Sequence, residues 1–191
     1  LPAGITFTPG ANDGKGSLAF DPSAGTPAQG VYNLVFTATS GSNTLTQNFA
    51  LFVSGPPSIT STGSATFTAG VASSYQVIAT GFPACTFAVT AGTLPNGVKL
   101  SGSGLLSGIP VAGTGGAYTV TVTASNGNSP DATQSFTLTV NEAPAFTSAN
   151  NTTFVSGTAS TFNVAATSFP TGATFSVASG SVPTGVTLAS N

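Results

Sequence analysis

The chain repeats itself, and the repeat sets the folding unit before any single residue is read. Leu1-Pro2-Ala3-Gly4-Ile5-Thr6-Phe7 returns as Leu94-Pro95-Asn96-Gly97-Val98-Lys99-Leu100 and again as Val182-Pro183-Thr184-Gly185-Val186-Thr187-Leu188. Tyr32-Asn33-Leu34-Val35-Phe36-Thr37-Ala38-Thr39 returns 86 residues later as Tyr118-Thr119-Val120-Thr121-Val122-Thr123-Ala124-Ser125. Gln47-Asn48-Phe49-Ala50-Leu51-Phe52-Val53 returns 87 residues later as Gln134-Ser135-Phe136-Thr137-Leu138-Thr139-Val140. Phe82-Pro83, Phe87 and Val89 are matched by Phe169-Pro170, Phe175 and Val177. The module is therefore about 87 to 93 residues long, with the extra length of the first copy in the loop around Pro9 to Gly16. Residues 1–53 read as the C-terminal half of one module, 54–140 as a complete module and 141–191 as the N-terminal half of a further one. Ser54-Gly55-Pro56-Pro57 and Asn141-Glu142-Ala143-Pro144 read as short, stiff hinges, because proline fixes φ and cannot donate to a ladder.

Within a module the apolar period is 2. Tyr118, Val120, Val122 and Ala124 alternate with Thr119, Thr121 and Thr123, and Phe136, Leu138 and Val140 alternate with Thr137 and Thr139. Tyr75, Val77 and Ala79, their matches Phe162, Val164 and Ala166, and the pairs Phe87/Val89 and Phe175/Val177 extend the pattern. Such alternation describes antiparallel strands with one dry and one wet face, separated by turn residues every 8 to 12 positions or so. Helix formers are scarce, while Gly, Pro and β-branched residues recur throughout. The fold class expected is all-β: tandem antiparallel sandwiches with Greek-key connections.

Composition then removes functions. Charged residues make up 3% of the chain, with 2 Lys+Arg, 4 Asp+Glu and no His. Two cations, Lys15 and Lys99, cannot neutralise a run of phosphates, so no nucleic acid or anionic membrane is expected as partner. No His, one Cys and four scattered carboxylates leave no general acid–base pair, transition-metal site or cofactor site, and no catalysis is expected. At 40% hydrophobic residues there is nonetheless ample side chain to bury a core. Cys85, among Phe82, Pro83 and Phe87, reads as a small buried hydrophobe or a reactive thiol, the buried role being preferred. No stretch approaches the length of a membrane span or has a signal-peptide pattern, and with no Met at residue 1 the sequence reads as a processed or excised piece.

Leu94-Pro95-x-Gly97-Val98-x-Leu100, Gly104-Leu105-Leu106-Ser107-Gly108-Ile109-Pro110, Ala117-Tyr118-x-Val120-x-Val122-Thr123-Ala124-Ser125-Asn126-Gly127 and Phe136-Thr137-Leu138-Thr139-Val140 follow one another in a characteristic order. In these blocks the chain resembles the Putative-Ig and dystroglycan-type cadherin-like modules found in tandem in bacterial surface proteins. The resemblance implies immunoglobulin-like sandwiches outside the cell or at its surface, serving as stalk, spacer or adhesive module. Cadherin relatives often bind Ca²⁺ at module junctions through clustered carboxylates. Asp13, Asp21, Asp131 and Glu142 are too far apart in sequence for that, and no metal site is expected.

Individual residues carry further readings. Tyr32 and Tyr118 open the strand leading to the last hairpin, where Ig-like sandwiches place a tyrosine corner; a plain core tyrosine fits equally. Asn12-Asp13-Gly14-Lys15-Gly16 reads as a hairpin turn rather than a phosphate loop, since it lacks the spacing and ending of the latter. Lys99 reads as a solvated side chain rather than an isopeptide partner, because Thr6 and Thr187 occupy its matched positions. Asn150 and Asn151 each begin an Asn-x-Thr sequon in a turn and are candidate N-glycosylation sites. Val35, Phe52 and Ile78 place apolar side chains on the wet face, either as ordinary surface residues or as contacts with a neighbouring module.

Three functions fit. The first is a non-catalytic structural or adhesive repeat of an extracellular surface protein or fibre, whose partners are neighbouring modules or identical subunits. The second is a filament subunit in which residues 141–191 of one chain complete residues 1–53 of the next. The third, an accessory carbohydrate-binding module of a secreted enzyme, wants exposed aromatic platforms that a chain without Trp supplies poorly.

Overall fold

The computed structural model describes residues 1–10 and 14–189. They are all-β apart from one 3-10 turn at Pro22–Ala24. β1 (Ile5–Pro9) and β2 (Gly16–Phe20) form an antiparallel hairpin, and β3 (Gly30–Ser40) and β4 (Asn43–Val53) form a second. There follow β5 (Gly55–Ile59), β6 (Ser64–Thr68), β7 (Ser73–Gln76), β8 (Ala79–Phe82), β9 (Thr86–Ala91), β10 (Val98–Leu100), β11 (Leu105–Gly108), β12 (Gly116–Ser125), β13 (Ala132–Phe146) and β14 (Ala166–Phe169).

From β5 to β13 these strands make an Ig-like β-sandwich. One sheet runs β9-β12-β13, antiparallel throughout, with β6 added parallel to β13; the other runs β10-β11-β7, with the β5–β8 pair completing that side. The chain changes sheet between β9 and β10 and again between β11 and β12, which makes the connections Greek-key rather than a meander. Phe67, Val77, Leu106, Val120, Val122, Phe136, Leu138 and Val140, all at most 3% exposed, fill the space between the sheets. The period-2 alternation is visible as burial, since β12 and β13 bury alternate residues from Val120 to Ala124 and from Phe136 to Val140. Each such side chain is worth roughly 1.5–3 kcal/mol of transfer free energy, which is what selects this register over one shifted by a residue.

The Leu/Val-Pro-x-Gly repeat is one turn built three times. Pro2, Pro95 and Pro183 carbonyls accept from Ile5, Val98 and Val186 amides at 3.0–3.1 Å. The glycine at the third position has φ of 71°, 89° and 88° in Gly4, Gly97 and Gly185, the left-handed value that such a turn requires there. At Gly97 a Cβ would also run into the Ile109 carbonyl oxygen.

Two expectations are corrected. Phe162, Phe175 and Val177 do not lie in strands, although their matches Tyr75, Phe87 and Val89 do; Val164 is likewise outside any strand, as its match Val77 is, between β7 and β8. A strand needs a ladder partner: β6, β7 and β9 pair with β13, β11 and β12, whose counterparts do not occur within residues 141–191. The one ladder of the complete module with both strands in that stretch, β5 with β8, does recur, as the end of β13 with β14. Likewise, in residues 1–53 the ladders β10–β11 and β12–β13 recur as β1–β2 and β3–β4.

The second correction concerns the hinges. Gly55-Pro56-Pro57 opens β5, and residues 141–144 lie inside β13, so both segments are strands rather than bare linkers. Their prolines leave a mark, because the pairing slips between Gly55 and Ser58 and between Glu142 and Ala145, where a ladder donor is missing. Cys85 is half-buried rather than fully buried, with Sγ directed at the Thr80 carbonyl 3.6 Å away. The turn read at residues 12–16 has Asn12 and Asp13 outside the described residues; beside them Gly10 N bonds the Lys15 carbonyl at 2.7 Å.

Candidate functional site

The densest set of long-range side-chain hydrogen bonds surrounds Phe82 and Pro83, where β8 meets the chain arriving from β4. Only Ser54 separates β4 from β5, so this corner is held next to the end of the first hairpin pair. Gln29, immediately before β3, reaches across: its Oε1 accepts from Phe82 N at 2.7 Å and its Nε2 donates to the Pro56 carbonyl at 3.3 Å. From the other side, Asn128 Nδ2 donates to the Phe82 carbonyl at 3.2 Å. Asn126 Nδ2 donates to the carbonyls of Gly55 and Pro83 at 2.9 and 3.0 Å, while its Oδ1 accepts from Asn128 N at 3.1 Å. Three neutral amides thus satisfy backbone groups that the prolines and the ladder slip leave without strand partners. The Phe52 ring stacks on Phe82 over the same corner, with centroids 6.3 Å apart and planes inclined by 16°.

At the next corner the Glu142 carboxylate accepts from the backbone amides of Gly113 and of Gly115, the latter at 2.6 Å. Charge-assisted bonds of this kind are roughly twice as strong as neutral ones. The ladder around it, Glu142↔Phe169, Ala145↔Thr167 and Phe146↔Ala166, reproduces Gly55↔Phe82, Ser58↔Thr80 and Ile59↔Ala79, slip included.

The tyrosines sit beside these contacts. Tyr118 Oη donates to the Thr114 carbonyl and Tyr32 Oη to the Ala28 carbonyl, both at 2.8 Å and both four residues back. Thr114 lies between Gly113 and Gly115, and Ala28 precedes Gln29, so each tyrosine pins the loop that reaches the neighbouring segment. Asn150 and Asn151 are exposed in irregular backbone, with Asn151 Nδ2 donating to Asn150 Oδ1 at 3.0 Å. Lys99 is exposed on β10. Among the described residues no three of His, Cys, Asp and Glu come together, and no helix is long and apolar enough to cross a membrane.

Amides, carbonyls and one carboxylate at these corners hold backbone; none is placed to act as a nucleophile with its base. Reading the sequence missed Gln29, Asn126 and Asn128, and treated Glu142 only as a hinge residue and a candidate ion ligand. A signal for the pairing was available in the aligned repeats, where Gln29 and Gly55 are replaced by Gly115 and Glu142.

Residues 56–141 match the family model described as Putative Ig domain. No curated protein matches the chain. Among solved structures it is similar to an endo-fucoidan hydrolase from glycoside hydrolase family 107, 22% identical over 79% of this chain and 24% of that one, TM-score 0.43. It is also similar to titin domain M7, 26% identical over 46% of this chain and 96% of that one, TM-score 0.33. The insect immune protein hemolin is 22% identical over 66% of this chain and 32% of its own, TM-score 0.35. The chain spans 18% to 24% of the length of the first carbohydrate hydrolases it overlaps. With the two-sheet topology, the single shared core and the match across nearly all of the strands from β5 to β13, residues 56–141 are an Ig-like module of the Putative Ig domain family.

Proposed function

We propose that this chain is a length of a tandem array of Ig-like modules, with 1–53 the C-terminal half of one, 54–140 a complete one and 141–191 the N-terminal half of a third. The array is a non-catalytic structural and adhesive element of an extracellular surface protein or fibre. The observation that carries the reading is the ladder repeated at an offset of 87 residues, Gly55↔Phe82 and Glu142↔Phe169, with the same slip in both. Such a chain adds length one sandwich at a time, each contacting its neighbours only, as repeat proteins do. Tyr32 and Tyr118 serve as tyrosine corners of consecutive modules, and Asn150 or Asn151 as glycan attachment points. The test is the denatured mass of the polypeptide isolated from its source, with peptide mass spectrometry of the Asn150–Asn151 segment. A mass far above the 18.4 kDa of these residues supports a long array.

A second reading rests on its own observation. The core positions of β12 and β13 are open in β3 and β4: Phe49 is 39% exposed where its match Phe136 is 1% exposed. Residues 141–191 of another copy carry the segments matching β5, β7 and β8, which would cover this face on pairing and give a head-to-tail filament. A denatured mass near 18.4 kDa, apart from glycan, with concentration-dependent association of the native protein in sedimentation velocity, would favour this reading over the array.

A further inference from the structure

We infer that the two junctions are closed by one clasp whose halves are exchanged, and that this clasp is the surface through which a module receives the next module and fixes its angle. The inference deepens the tandem reading and rests on it. In the aligned repeats Gln29 corresponds to Gly115 and Gly55 to Glu142, with the offsets of 86 and 87 residues that also relate Tyr32 to Tyr118 and Val53 to Val140. At the first junction the long polar side chain is on the loop before the tyrosine strand and the glycine on the incoming strand. At the second, the glycine is on the loop and the long side chain on the incoming strand.

The glycines are sockets. A Cβ on Gly55 would meet Gln29 Nε2 and lie 2.7 Å from Gln29 Cδ. A Cβ on Gly115 would lie 2.7 Å from both Cβ and Oε2 of Glu142 and 2.9 Å from Phe169 Cβ. Neither glycine has the left-handed φ that would call for glycine on conformational grounds, so what each position needs is the missing side chain. A second side chain at Gly115 would run into the Cβ atoms of Glu142 and Phe169, and one at Gly55 would push the end of Gln29 off its hydrogen bonds, while two glycines would leave the loop and the strand with no polar bridge. One of each lets the loop and strand close. The hydrogen bonds then run opposite ways: Gln29 bonds Phe82 N and the Pro56 carbonyl ahead of it, whereas Glu142 takes the Gly113 and Gly115 amides behind it. The partner this surface fits is another module of the same kind carrying the complementary residue, and the tyrosine bonds to Ala28 and Thr114 hold the loop ready for it.

The test is NMR on the 191-residue chain and on three variants: Glu142→Gly, Gly115→Gln, and the two together. In the double variant the introduced glutamine side chain faces Phe169 N and the Ala143 carbonyl, as Gln29 faces Phe82 N and the Pro56 carbonyl. In the unaltered chain the Gly113 and Gly115 amides should exchange at least about tenfold more slowly than the loop amides of Gly127 and Gly172, and Glu142→Gly should abolish the difference. Residual dipolar couplings of β12 and β14 should fit one alignment tensor in the unaltered chain and in the double variant, and two tensors in each single variant. Slow exchange of the Val120 and Leu138 amides in every variant shows that the sandwich is folded. One tensor in both single variants, or two in the double variant, overturns the clasp, as do fast Gly113 and Gly115 amides beside a protected β14. Loss of protection at Thr167 and Phe169 in the unaltered chain overturns the tandem ladder itself and the clasp with it.

Discussion

Phe52 and Phe82 stack across the first junction, the one from the last strand of the leading segment and the other from the corner of the complete module. The stack gives Phe52, 64% exposed on the wet face of β4, a reason to be there. Its matched position in the complete module is Thr139, so the apolar side chain is local to this junction. Because so much of Phe52 remains in water, Phe52→Ala alone should cost little. A double-mutant cycle with Phe82→Ala, read by urea denaturation, should nevertheless return a coupling of about 0.5–1.5 kcal/mol, the range of a specific aromatic pair. A coupling indistinguishable from zero would mean that the rings merely lie near each other.

Leu138 and Leu51 occupy the same place in two copies of one hairpin, but Leu138 is fully buried between two sheets and Leu51 only half-buried. Leu138→Ala should therefore destabilise the sandwich by about 2–5 kcal/mol, through lost transfer energy and the cavity left behind. Leu51→Ala removes the same atoms from a face that, among the described residues, only the β1–β2 hairpin partly covers, through Phe7 against Phe36, and should cost under half as much. Both are measured by chemical denaturation followed through the near-ultraviolet signal of the tyrosines. Equal costs would mean that residues 1–53 have found a covering sheet in solution, which is what the filament reading requires.

What could be read without coordinates divides along a physical line. Alternation over Tyr118–Ala124 and Phe136–Val140 revealed the strands because burial on one face leaves a period of 2 in the residues themselves. The turn at Pro2, Pro95 and Pro183 was legible as a repeat because a positive φ demands glycine. Phe162 and Phe175 carry the same alternation yet form no strand, since a strand is a property of a pair and the partner lies elsewhere. Pro56-Pro57 and Pro144 suggested hinges because proline cannot donate, but extended backbone with an acceptor still exposed pairs on its other groups, with the slip as compromise. The amides of Gln29, Asn126 and Asn128 left no signal of their own. A polar side chain that bonds backbone looks, in sequence, like one that bonds water.

Tyr118→Phe deletes one hydroxyl without changing the ring. The Thr114 carbonyl then loses its donor at a half-buried site, and the expected cost is about 1 kcal/mol, within the usual range for one intramolecular hydrogen bond. Tyr32→Phe makes the same deletion where water reaches the Ala28 carbonyl more easily, so its cost should be smaller. Guanidinium denaturation of the two variants should rank them in that order. The reverse order would argue that the hydroxyls are incidental to a role carried by the rings.

With no His in the chain, no side chain of that type changes charge between about pH 5 and 8, and few charges of any kind are present to be screened by salt. The pH dependence that remains belongs to the acid side. Asp21 accepts from the Ser23 hydroxyl at 2.6 Å and the Ser23 amide at 2.8 Å, and these bonds hold its carboxyl below the ordinary value of 3.8. A carboxyl whose folded pKa lies below its unfolded one binds its proton less readily in the folded state. Its contribution is therefore present in full above the unfolded value and is lost as pH falls through the folded one. Asp21 is fully exposed, so that contribution is small, and Asp21→Asn should blunt a shallow decline in Tm that begins only below about pH 4. Calorimetry from pH 5 to 9 should show a nearly level Tm, unchanged by molar salt except for the general effect of salt on apolar burial. A drop of several degrees between pH 5 and 9 would show that one of the few titratable groups is far more strongly coupled to folding than its surroundings account for.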